Sequence, residues 1–147
     1  MLISTGLRNA LATASSLKDT LAGCVINIYA GTPPASADDA LGMDATLLCV
    51  ISGEGTGAAL EWENTAVGGA LTKLSSQAWR GTAEATGSIA YYRMQLPSDD
   101  GTASSSRVRL QGTAGVVGAD LNMSSATMTS GAVQTIDYAT ITVPSAS

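Results

Sequence analysis

The chain predicts an all-β fold, an antiparallel sandwich or barrel preceded by a short amphipathic helix. Roughly eight or nine short runs of β-forming residues are separated by turn clusters of Gly, Pro, Ser and Asp. Helical periodicity is confined to the first 22 residues. The 147 residues suit one domain, 45% of them hydrophobic, which excludes a disordered class, and 16 are glycines, which point to many turns. We divide the chain into an N-terminal helix or arm over 1–22 and a β-sandwich domain over 23–147.

In the N-terminal segment Ile3, Leu7, Ala10, Leu11, Ala14, Leu17 and Leu21 fall within one arc at about 100° per residue, with Arg8, Ala12, Ser15, Ser16 and Asp19 opposite. Ser4 or Thr5 can cap the start and Gly23 can end it. Such a face must be buried, either against the sheet or on a neighbouring subunit as a shared arm. Arg8, Asn9 and Thr13 interrupt what would otherwise be a signal-peptide core. No stretch approaches the roughly 20 apolar residues of a membrane span. We therefore expect synthesis in a cytoplasm without export. Cys24 and Cys49, each in an apolar run, should then stay reduced and pack as small hydrophobes.

After Gly23 the texture turns to strands. CVINIYA is one, followed by the polar loop GTPPASADDALG, whose paired prolines force an extended path. TLLCVIS ends at the turn cluster SGEGTG. ALEWENTAV alternates, placing Leu60, Trp62 and Asn64 on one face and Glu61 and Glu63 on the other. Two weaker segments lie over 71–74 and 79–85. Residues 89–96 and 107–111 read as a hairpin joined by the polar loop SDDGTASSS. ADLNMSS alternates Leu121 and Met123 with polar positions. In the last long run Ile136 and Tyr138 share one parity and Ile141 and Val143 the other, which predicts a bulge or sheet switch near Ala139. The order Cys24, Cys49, Trp62 does not fit the Cys…Trp…Cys pattern of an immunoglobulin domain.

Chemistry is thinly supplied. There is no His and no Phe, and only two Cys. Without imidazole there is no Ser-His-Asp or Cys-His triad, no His-ligated zinc and no His general base. Glu61 and Glu63 project from one strand face, the pattern of a solvated face more than of a glycosidase pair. Asp38, Asp39 and Asp44 lack the spacing of an EF-hand and read as a capped turn. Lys18 and Lys73 sit in no Ser–Lys motif, and GEGTG and GTAGVVGAD lack the Lys of a phosphate loop. We expect no catalytic residues, no cofactor and no metal. A net charge of −5 with scattered cations argues against direct nucleic-acid binding, and no membrane partner is expected.

Binding is the better-supplied role. Trp62 and Trp79 are expected to fill a core otherwise made of small residues. Adjacent Tyr91 and Tyr92 should face opposite sides of their strand, one in the core and one exposed as a contact. With the helix face at Leu7 and Leu11, these tyrosines are the candidate contacts for an oligomer or partner.

The runs INIYAGTPPASADDALG and TLLCVIS, the pattern WRGTAEATG before an aromatic-rich strand, and the ending VGADLNMSS…SGAVQTIDYATITVP together cover about residues 25–144. In these the chain resembles small virion proteins of tailed bacteriophages, most of all the capsid cement or decoration proteins that sit on HK97-type heads. The resemblance implies a jelly-roll-like β-sandwich that oligomerises and bridges major capsid proteins, and the terminal amphipathic helix with edge strands to protect leads us to expect a homodimer or homotrimer. It would be made in the host cytoplasm and located on the capsid exterior. It brings no catalytic residues. A tail or neck component of the virion is the alternative within that class, and a carbohydrate-binding β-sandwich module is the alternative outside it.

Overall fold

The computed structural model describes residues 1–13 and 15–143. The fold is all-β and mainly antiparallel, with helix confined to the N-terminal segment. The long strands are β2 (Val25–Ala30), β3 (Thr46–Gly53), β7 (Tyr91–Gln95) and β8 (Arg109–Gly115), with β1 (Leu2–Ile3) at the edge. They form a sheet in the order β1-β8-β7-β2-β3, which continues through the end of β3 into β5 (Trp79–Thr82) and β11 (Val133–Ile136). The expected hairpin over 89–111 is the β7–β8 pair, in register from Tyr91 opposite Thr113 to Gln95 opposite Arg109.

One face of this sheet is apolar. Directly opposed residues share a face, so Leu110, Met94, Ile26 and Ile51 form one row across four strands, and Tyr92, Ile28 and Cys49 form the next. Leu48 interrupts the β2–β3 register as a bulge and is itself fully buried. Against this face pack Leu60, Trp62, Leu71, Trp79, Leu121, Met128, Ile136 and Ile141. Trp62 and Trp79 meet edge to face with centroids 4.9 Å apart. As the missing Phe predicts, the tryptophans are core. Gly81 is required where β5 crosses β3, because a Cβ there would lie 2.0 Å from the Val50 carbonyl oxygen.

The N-terminal segment departs from the single helix its periodicity predicts. Leu2–Ile3 pairs with β8, helix α1 spans Thr5–Thr13, and a separate turn α2 spans Leu17–Thr20. Ser16 breaks the run: its backbone is extended at ψ 159 and its hydroxyl accepts the Asp19 N–H, so a new helix starts there. Ala14, one residue of the expected arc, lies outside the described residues. Residues 59–67, expected as a strand, make only isolated bridges, Trp62 to Lys73 and Val67 to Ala70. Leu60 and Trp62 are buried as expected, whereas Asn64 is exposed and takes the Lys18 ammonium.

The predicted break near Ala139 is a sheet switch. β11 pairs with β5, and β12 (Thr140–Thr142) pairs with β4 (Ala70–Thr72). Tyr138 lies past the end of β11 and points outward, unlike Ile136. Two details depart from a purely antiparallel sandwich of nine strands. Short strands β6 (Gly87–Ser88) and β10 (Thr127–Met128) form their own ladder, and β9 (Leu121–Asn122) runs parallel to β8.

Candidate interaction surface

The N-terminal edge is built on a rigid base. Ser4 is fully buried, and its hydroxyl donates to the Arg107 carbonyl oxygen at 2.7 Å while accepting the Arg109 N–H at 2.9 Å and the Leu7 N–H at 3.1 Å. One side chain therefore caps α1 and ties it to β8. The Asp38 carboxylate accepts from both the Thr5 N–H and its hydroxyl, which hold it below the usual carboxylate range. Gly6 lets the helix approach the chain at 106–107, since a Cβ would lie 2.4 Å from the Ser106 carbonyl oxygen.

On this base the edge exposes apolar side chains. β1 pairs with β8 on one side only, and Met1, Leu2 and Ile3 are 55, 42 and 39% exposed. The terminal ammonium lies 3.0 Å from Asp120, whose carboxyl it holds low, and this brings the loop carrying exposed Val116 and Val117 beside the N-terminus. Leu11 is 38% exposed on α1.

Three of the four predicted contacts are not at the surface. Leu7 is fully buried within its own chain, anchoring α1. Tyr91 and Tyr92 are both buried, so the expectation that one would be exposed is corrected. The cause is a second cover over the sheet. Loops 31–45 and 97–106 close the face that alternation leaves to solvent, and under them Tyr91 stacks on Tyr29 at 5.1 Å. Burial, then the neighbouring Tyr29, pushes the Tyr91 hydroxyl up to about 12. Burial also raises Tyr92, on the opposite, apolar face.

That covered face is a buried polar layer. Arg93 and Arg109 are fully buried. Gln111 donates to the Pro34 carbonyl, Arg109 to that of Ala37 and Arg93 to that of Asp39, so the sheet grips loop 31–45 at three points. Arg109 also pairs with Asp99, and Arg93 donates twice to Gln111. Four buried polar atoms of this face have no protein partner: Asn27 Oδ1, Tyr91 OH, Arg93 Nη1 and Gln95 Oε1. Sequence reasoning missed this layer because Arg and Gln at alternate strand positions read as a solvated face. The long Pro-containing loop after β2 was the available signal.

The acids and lysines hold structure. Asp44 accepts from the Thr32 N–H and hydroxyl, and Glu63 from the Ser75 N–H; both carboxyls are lowered. Lys73 is buried and donates to the carbonyls of Gln77 and Leu74. Burial, followed by the charges of Asp99 and Glu84 respectively, pushes the free thiols Cys24 and Cys49 up to about 11. Among the described residues no three His, Cys, Asp or Glu side chains converge as a metal site, and no helix is long and apolar enough to cross a membrane.

No family model, curated protein or solved structure matches the chain.

The surface is more acidic than the net charge suggests. Lys73, Arg93 and Arg109 are buried, whereas Asp99 is the one acid with its side chain withdrawn from solvent. Four cations are left against eleven acids on the remaining surface. Of the six aromatic residues, Tyr138 alone is exposed, at 71%.

Proposed function

We propose that this chain is a structural virion protein that binds the outside of an assembled phage capsid and cements it by bridging major capsid proteins. The observation that carries the reading is the N-terminal edge: exposed Met1, Leu2 and Ile3 on an edge strand locked in place by Ser4. An open strand edge with apolar side chains is a ready template for a partner chain, and a monomer that remained free would gain by covering it. The resemblance to phage decoration proteins adds the identity of the partner. The acidic surface supports solubility before assembly and favours basic patches on the shell. Many weakly held copies, each touching neighbouring capsomers, would gain avidity from the lattice. A sugar-stacking platform finds less support, because Trp62, Trp79, Tyr91 and Tyr92 are all buried.

The test uses expanded shells of the encoding phage prepared without this protein. Titration should show saturable binding to shells, little binding to isolated capsid subunits, and a raised rupture temperature in a ramp with a DNA-exposure dye. Failure to bind shells, with antibody labelling of tails in intact virions, would move the protein to the tail or neck. Failure of both, with retention on a polysaccharide column, would favour the carbohydrate-binding alternative.

A further inference from the structure

β11 ends its sheet and, among the described residues, pairs with β5 alone. The register shows which backbone groups that ladder uses. The Glu84 N–H donates to the Leu48 carbonyl and the Ala83 N–H to that of Ala132, so Arg80, Thr82 and Glu84 turn their backbone groups to β3, and Trp79, Gly81 and Ala83 turn theirs to β11. Gln134 and Ile136, opposite Gly81 and Trp79, are therefore the residues of β11 that bond to β5. The N–H and C=O groups of Val133 and Thr135 point away from the sheet, and no backbone group of the described residues pairs with them. Both side chains are exposed, Val133 at 63%.

Natural sheets blunt a free edge with charge, proline or a bulge. The run GAVQTI over 131–136 has no charged residue and no proline, and β11 follows β5 residue for residue without a bulge. On a surface where eleven acids outnumber four cations, this strand is a neutral stretch. A second copy, repelled by like charge elsewhere, meets none along it. The edge is also self-complementary. In an antiparallel pairing about a two-fold axis at Gln134, Val133 of one copy stands opposite Thr135 of the other, and the two exchange both backbone hydrogen bonds. Gln134 meets its own counterpart, amide to amide. Asp137, the first charge beyond the strand, falls opposite Gly131 of the second copy, which has no side chain to oppose it.

We propose that β11 pairs antiparallel with β11 of a second copy about a two-fold axis at Gln134, joining the two sheets into one. β1 lies at the opposite end of the same sheet, so such a dimer carries an N-terminal edge at each extremity. One copy offers a single edge of that kind; the pair offers two, which is what bridging needs. This consequence rests on the capsid reading, whereas the dimer itself does not.

The test uses the purified protein without shells, so its failure is distinct from a failure of shell binding. Light scattering should give the mass of a dimer that dissociates on dilution. Amide exchange at Val133 and Thr135 should be slow in the dimer and fast in the diluted monomer, whereas Gln134 and Ile136, bonded to β5, should be protected in both. Thr135→Pro removes an outward N–H and spares the β5 ladder. It should weaken the dimer about tenfold or more, because the two-fold axis repeats the lost hydrogen bond. Gln134→Cys should cross-link two copies on mild oxidation, because opposed residues that do not share hydrogen bonds have Cα atoms about 4.5 Å apart, within disulfide reach. Cys24 and Cys49 are buried and should give no such product in the unaltered protein. A monomer at about 100 µM, where even a micromolar Kd gives mostly dimer, would overturn the proposal. So would a dimer whose Val133 and Thr135 amides exchange freely, or one that folded Thr135→Pro leaves unchanged. Mass and exchange are read on the unaltered protein and decide the matter even if neither variant folds.

Discussion

Arg109 Nε lies 2.6 Å from Asp99 Oδ2, in a pair whose side chains are 0 and 3% exposed. Arg107 reaches the same carboxylate from the surface side, and Arg109 also donates to the Ala37 and Thr102 carbonyls. The pair joins β8 to both loops that cover the polar face. Asp99→Asn should leave the Arg109 charge buried without compensation, at a cost of about 3–5 kcal/mol in denaturant unfolding. Adding Arg109→Met should cost less than the sum of the single losses, because each single change strands a charge. Additive losses would show that the pair is not coupled.

Acid should loosen the same region. Burial alone would raise Asp99, but the Arg109 hydrogen bonds, the Gly101 N–H and Arg107 outweigh it, so its carboxyl sits below the usual range. Asp38, Asp44, Glu63 and Asp120 are lowered as well. A carboxyl with a lower pKa in the folded than in the unfolded state binds fewer protons folded. Its stabilisation is therefore complete above the unfolded value near 4 and is lost as pH falls through the folded value. Stability should be level from neutrality to about pH 5 and decline below about pH 4. Unfolding midpoints across that range check it; a decline between pH 7 and 6 would contradict it.

Ser4→Ala removes a helix cap and the acceptor of the buried Arg109 N–H in one step. A loss of about 2–3 kcal/mol is expected by denaturant unfolding, against less than about 1 kcal/mol for the exposed cap Ser16→Ala. Equal losses would mean that the Ser4 node does not anchor the edge.

Leu7 and Leu11 share the predicted helix arc but not an environment. Leu7→Asp should destabilise by about 4 kcal/mol or more, or prevent folding. Leu11→Asp should change stability by less than about 1 kcal/mol and should weaken shell binding. Thermal melts and shell titration separate the two effects.

The long strands of the sheet were legible in sequence because CVINIYA, TLLCVIS and SIAYYRMQLP are β-forming runs bounded by turn residues, whereas their register, with its bulge at Leu48, was not. The switch near Ala139 was legible from the change of parity between Ile136 and Ile141. The polar layer was not, because burial of Arg93 and Arg109 depends on loops folding back across the sheet from more than fifty residues away in Arg93–Asp39. Nor could periodicity separate the helix arc into a strand, a helix and a second turn, since Ser16 serves equally as an exposed helix residue or a cap. The exposed edge at Leu2 and Ile3 was hidden by reading those residues as helix.

Hydrogen exchange on the bound and free protein tests the central claim most directly. Backbone amides of residues 1–11 should gain protection when the protein saturates expanded shells, while those of β5 and β11 should be unchanged. Protection confined to other surfaces, or no protection at a concentration where binding is saturated, would contradict the assignment of the N-terminal edge as the capsid contact.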